Sequence, residues 1–273
     1  MQPLSAWNNA CLAADREYWN IRLFGYNVTL FLKNFFRGSM RVNQEHLPYL
    51  APTAIIDSDH KSIRDYAIKT VGGSTDPIKI AVKLYLAVRD GILYDPYSPF
   101  YLPEHYRASY VLKRGRSFCI PKASLLCALG RARGIPSRIG FADVRNHLAT
   151  KQLIEFMGSD FFVYNGFVEF YLQGKWVKAT PAFNSDLCKR HHVPPLEFNG
   201  REDSLFQAYN LRNQRFMEYV ALRGVYADIP VDQIVSAWEK AYGRNRVRNW
   251  VKRFKEGGDR SLSDFEKEEI SKT

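Results

Sequence analysis

Cysteine is scarce in this chain. Four residues in 273, Cys11, Cys119, Cys127 and Cys188, are too few and too scattered for a disulfide framework, so a reducing cytoplasm is the expected compartment. No run approaches the roughly 20 apolar residues that a membrane span requires, the longest uncharged aromatic stretch near the start being LFGYNVTLFL at 23–32. Asp15 and Glu17 stand where the basic region of a secretory signal would lie, and no small-residue cleavage site follows cleanly. Zinc-finger, RNP and helix-turn-helix signatures are missing, so the net charge of +11 argues for acidic partners or surfaces rather than specific nucleic-acid recognition. Internal repeats and low-complexity tracts are absent as well.

What remains is an ordinary globular composition, 46% hydrophobic and 25% charged, in a chain long enough to bury a full core. Residues 1–39 read as an extension ahead of Met40, over-long at the gene level or a surface-lying amphipathic helix. A compact domain is expected over 40–243, then a tail over 244–273 that is basic, then acidic, and partly disordered. Helical spacing begins after IIDSDH, with Asp57 or Ser58 as cap, Ile63, Tyr66, Ala67 and Val71 on one face, and Gly72 with Gly73 as stop. A second helix follows Ser74 to Asp76, with Pro77 in its first turn. The most hydrophobic helix spans 120–133 and is ended by Gly134 and Pro136. SRIGFADV then reads as a strand, RNHLATKQLIEFMG as a helical segment, and the run from Asp160 to Asn184 as a β-hairpin turning at Gln173-Gly174. After Asn184 come a short helix, proline-containing loops and a helix at 228–243. Helices first and strands second predict an α+β fold with an antiparallel sheet.

The chemistry centres on SFCIPKASLLCALGRARGIPSR at 117–138. Pro121 suits the first turn of a helix, which puts Cys119 at the helix N-terminus, where free N–H groups and the macrodipole favour a thiolate. Those N–H groups are also what an oxyanion hole requires. A packed core thiol is the common alternative.

The wider pattern of a G-x-x-x-C lead-in, a small-and-leucine-rich helix, RARGIPSR, a strand and the hairpin NGFVEFYLQGKWVKATPAFN resembles the transglutaminase-like cysteine enzymes over roughly residues 60–200. The resemblance implies a papain-like core, with a helix-borne cysteine packed on a small antiparallel sheet and extra helices around it. In that family a cysteine attacks an amide carbonyl, a histidine on the first hairpin strand moves the proton, and an aspartate on the next strand orients the histidine. Carried over, Cys119 is the nucleophile, Asn165 stands at the histidine position and Thr180 at the aspartate position. Asparagine has no titratable group to take the thiol proton or deliver it to a leaving amine. His147 is the candidate substitute base. The implied activity is a hydrolase or acyltransferase acting on peptide or side-chain amides through a Cys119 thioester; the alternative is an inactive domain that binds a peptide or protein partner.

Other residues carry weaker readings. CKRHH at 188–192 is a fragment of metal-ligand spacing with no second cluster, and no metal or cofactor is expected. Glu169 faces solvent or an arginine, and Trp176 belongs to the core or lines the cleft. The run RNRVRNWVKRFK reads as a solvated helix face, or as a weak anionic-surface contact using Trp250 and Phe254.

Overall fold

The computed structural model describes residues 22–23, 26–27, 44–258 and 260–268. The chain divides into two units, Met1–Val42 and Asn43–Thr273. In the first, Arg22–Leu23 pairs antiparallel with Tyr26–Asn27; the expected helix over 1–39 otherwise lies outside the described residues.

The second unit opens with helices α1 (Lys61–Val71), α2 (Pro77–Gly91) and α3 (Ala108–Arg114), the last two separated by β1 (Leu93–Tyr94). Asp76 caps α2 by accepting the Ile78 N–H, with Pro77 at the first helical position as the sequence predicts. At α1 the cap is His60, not Asp57 or Ser58. Asp57 turns instead to the N–H and hydroxyl of Ser109 and so ties this loop to the start of α3. β2 (Arg116–Ser117) pairs in parallel with β1 and delivers the chain into α4 (Cys119–Ala132).

Every residue of α4 from Ile120 to Ala132 is buried. A helix surrounded on all sides needs no amphipathic stripe, and its polar members must find partners in the interior. Arg131 does so by donating to the carbonyls of Ser137, Ala51 and Ala227 at 3.0, 2.8 and 2.6 Å. Gly134, at φ 73°, ends the helix in the left-handed conformation that glycine tolerates.

The sheet is built from β3 (Ser137–Asn146), β4 (Phe161–Leu172), β5 (Lys175–Ala179) and β6 (Met217–Tyr226), all antiparallel in the order β5-β4-β3-β6. Gln173 and Gly174 both have positive φ, the backbone of a two-residue hairpin turn, and Leu172 pairs with Lys175 across it. Between β3 and β4 lies α5 (Lys151–Met157), capped by Thr150; α6 (Ser185–Arg190) follows β5. The fold is therefore α+β, with a buried helix packed on an antiparallel sheet. Glu169 meets Arg138 at 2.6 Å, and the Arg138 guanidinium stacks 4.0 Å from the Trp176 ring, which is half-buried on the surface of the sheet.

Two helices close the chain, α7 (Val231–Tyr242) and α8 (Arg244–Gly257). The latter carries the solvated basic face that the sequence predicts and, on its other side, an apolar face that the sequence reading did not anticipate. Val247, Trp250 and Phe254 lie at helical spacing and are buried, while the basic side chains face water. Trp250 and Phe254 are consequently engaged in the core and not presented to a membrane or nucleic acid. Beyond α8, Phe265 is buried and Glu268 accepts from Tyr97 and Thr150, so this stretch packs down as well. Among the described residues, no helix is long and apolar enough to cross a membrane.

Candidate functional site

Cys119 is the first residue of α4, with Phe118 as a cap that makes no side-chain hydrogen bond. The first turn therefore has unspent N–H groups beside the sulfur. One further donor comes from the sheet. Gly166 on β4 passes so close to α4 that a Cβ there would stand 2.9 Å from the Ile120 Cα, closer than real Cβ atoms approach backbone. Only glycine allows this contact.

The thiol is half-buried and free. Burial dominates its acidity and pushes it up to about 11, while the main-chain N–H groups of Gly166, Ile120 and Cys119 itself, and then the charge on Lys122, pull the other way. Donors alone do not offset the loss of water. Lys122 is itself fully buried, and its amine is held by the carbonyls of Arg89 and Ile92 at 2.9 and 2.5 Å.

Cys119 lines a cavity of about 70 Å³ together with Asn165. Asn165 pairs with Ala142 on β3, immediately beside a bulge in which Val163 and Tyr164 of β4 oppose the single residue Asp143. Such a bulge bends its own strand and re-aims the side chains next to it. The buried Asp143 carboxylate accepts the N–H of Tyr164 at 3.1 Å and the Arg223 guanidinium at 2.9 and 2.5 Å, and so holds Tyr164 at φ 63°, an uncommon backbone for an aromatic residue. Asn165 is 7% exposed, and its Nδ2 has no hydrogen-bond partner.

The roof of the cavity comes from α7 and α8, through Trp238, Tyr242, Trp250 and Phe254. Its attachment follows from the short reach of β5, whose pairing with β4 begins at Val168 and leaves the main chain near Val163 without a strand on that side. Trp238 donates its indole N–H to the Val163 carbonyl and Tyr242 Oη accepts the Val163 N–H, both at 2.8 Å. Two side chains on α7 thus do what a neighbouring strand would have done. Arg246 donates to the carbonyls of Glu155 and Phe156 at 3.0 Å, which fixes α8 to the end of α5.

The remaining residues predicted for the site lie elsewhere. Thr180 is buried but does not line the cavity; its hydroxyl donates to Ser204 O at 2.9 Å. His147 stands outside the cavity too, with Nε2 3.2 Å from Glu218 on β6. Among the described residues, no histidine lines the cavity. Sequence reasoning missed the roof, although Val247, Trp250, Val251 and Phe254 follow the i, i+3, i+4, i+7 pattern.

Residues 64–181 match the transglutaminase-like superfamily, a span that takes in Cys119, Asn165 and Thr180 and stops before β6, α7 and α8. No curated protein matches the chain. Among solved structures, a candidate cysteine protease from Cytophaga hutchinsonii is 17% identical, with 68% of this chain and 55% of that one covered, at a TM-score of 0.41. The periplasmic domain of TgpA from Pseudomonas aeruginosa is 14% identical, with 52% and 48% covered, at a TM-score of 0.37. The chain spans about half the length of these two structures.

Proposed function

From the match of residues 64–181 to the transglutaminase-like superfamily, we propose that the chain holds a peptide or protein partner at the Cys119 cavity without hydrolysing it. The observation that carries this reading is the composition of the cavity wall: sulfur, amide and aromatic rings, with no imidazole among the described residues. A cysteine hydrolase must generate thiolate and return a proton to the departing amine. With the thiol near 11, the thiolate fraction at pH 7 is about one in ten thousand, and Asn165 can neither remove nor supply the proton. Loss of the base from a nucleophile–base pair costs several orders of magnitude in rate. The free thiols of Cys119, Cys127 and Cys188 support a reducing, cytoplasmic setting.

One observation favours a second reading, that of a hydrolase or acyltransferase working through a Cys119 thioester. The N–H groups of Ile120 and Gly166 remain turned to the sulfur, where they would also serve an oxyanion. Alkylation by iodoacetamide, followed at Cys119 across pH 6 to 9.5, separates the two. The binding reading expects a rate that climbs about tenfold per pH unit without a plateau, a faster reaction at neutral pH in Asn165→His, and retained partner affinity in Cys119→Ala. Rapid alkylation at pH 6 in the unaltered protein, abolished by His147→Ala, would establish the catalytic reading instead.

A further inference from the structure

We infer that the cavity over Cys119 selects a branched aliphatic side group, of the leucine or valine kind, carried next to an amide carbonyl that Asn165 binds. The inference rests on the binding reading above and adds the chemistry of what is bound. Three observations carry it.

The first is the Asn165 Nδ2, a buried donor without a partner on a residue that lines the cavity. Interior polar groups are almost always paired, so an unpaired amide N–H aimed at a ligand carbonyl is a selective contact. It donates only, and therefore asks for an acceptor oxygen. The second is the aromatic part of the wall. Trp238, Tyr242, Trp250 and Phe254 present ring surface, since the Trp238 N–H is already spent on Val163 and Tyr242 Oη accepts from the same residue. An apolar group replaces water there at a gain. The third is size. A cavity of about 70 Å³ is roughly half of the ~150 Å³ that encloses a benzene molecule, which leaves room for about three or four carbons and excludes an indole.

The roof that makes this selection lies outside residues 64–181. The side-group preference therefore belongs to α7 and α8, whereas the carbonyl contact belongs to the strand beside Cys119.

The test uses the full chain with N-acetyl-leucinamide, N-acetyl-valinamide, N-acetylglycinamide and N-acetyl-tryptophanamide as probes. Protection of Cys119 from iodoacetamide at pH 9 is read by peptide mass mapping, which resolves it from the other thiols, and ammonia release is measured in the same samples. Leucinamide and valinamide are expected to protect at millimolar concentration, with glycinamide about tenfold or more weaker and tryptophanamide inactive. In Asn165→Leu, protection by leucinamide weakens about tenfold while the ranking of side groups is kept. Met157→Ala, which enlarges the wall, brings tryptophanamide into the protecting set. Equal protection by glycinamide and leucinamide, a preference for tryptophanamide in the unaltered protein, or no protection by any probe overturns the inference. Ammonia release that vanishes in Cys119→Ala refutes the non-hydrolytic reading yet leaves a leucine preference standing. Absence of release together with absence of preference does the reverse.

Discussion

Replacing Lys122 by methionine should change how the stability of the protein depends on pH. The amine is completely buried, and desolvation lowers it from 10.5 to about 7, an effect that Asp90 and Cys188 oppose and Arg89 assists. In the unfolded chain the same amine titrates near 10.4. Between these two values the unfolded chain holds a proton that the native protein has given up, so the native state gains stability as pH rises, by at most about 1.4 kcal/mol per pH unit. The penalty is fully present below pH 7, shrinks through the interval and is gone above about 10.4; over the whole window it amounts to roughly 4–5 kcal/mol. Methionine keeps the length of the side chain and removes the titration. It also removes two hydrogen bonds to the carbonyls of Arg89 and Ile92, a loss that shifts the stability of the variant by a pH-independent offset. Urea unfolding followed by tryptophan fluorescence at pH 7, 8 and 9 measures the difference between the two proteins directly. That difference should move in favour of the unaltered protein by about 2–3 kcal/mol from pH 7 to 9. The thiols of Cys119, Cys127 and Cys188, raised to about 11 by loss of water, add their own pH dependence at the upper end, but they do so in both proteins and largely cancel. A difference that stays constant across the series would refute the argument, because Lys122 would then titrate in the native state much as it does in the unfolded chain.

Gly166→Ala should cost about 1–3 kcal/mol in chemical denaturation, since the added Cβ meets the Ile120 backbone, and should slow Cys119 alkylation at fixed pH as the strand's N–H withdraws from the sulfur. Tyr242→Phe removes the acceptor of the Val163 N–H and should cost about 1–3 kcal/mol, with faster amide exchange at Val163; unchanged exchange would count against the attachment described for α7. Arg131→Lys retains the charge but cannot reach three carbonyls from separate segments, and a loss of about 3 kcal/mol or more is expected in thermal unfolding.

The helix that bears Cys119 and the hairpin behind it were legible because local chemistry dictates them. Pro121 and Gly134 bracket the one, and the positive φ demanded at Gln173 and Gly174 shapes the other. Strand β6 was not legible: it is an edge strand with Val220, Leu222 and Val225 turned to solvent, so the usual in-and-out alternation is absent. Missing β6 also hid Glu218, the carboxylate that stands 3.2 Å from His147 Nε2. In the last helix, the weight of basic residues masked a short apolar stripe that serves the cavity. Cys119 and Asn165 could be brought together in advance only through the resemblance, because their meeting depends on the close approach at Gly166, a contact between residues far apart in sequence.

The double attachment at Val163 has a consequence for synthesis on the ribosome. Strand β4 is made well before the helices that cover its open edge, the interval to Phe254 being about ninety residues, or roughly 5–18 s at ordinary elongation rates. Throughout that interval the nascent chain carries an unsheltered strand edge and the apolar walls of an unfinished cavity, the kind of surface that chaperones recognise and that seeds aggregation. A premature stop within α7 would make that transient state permanent.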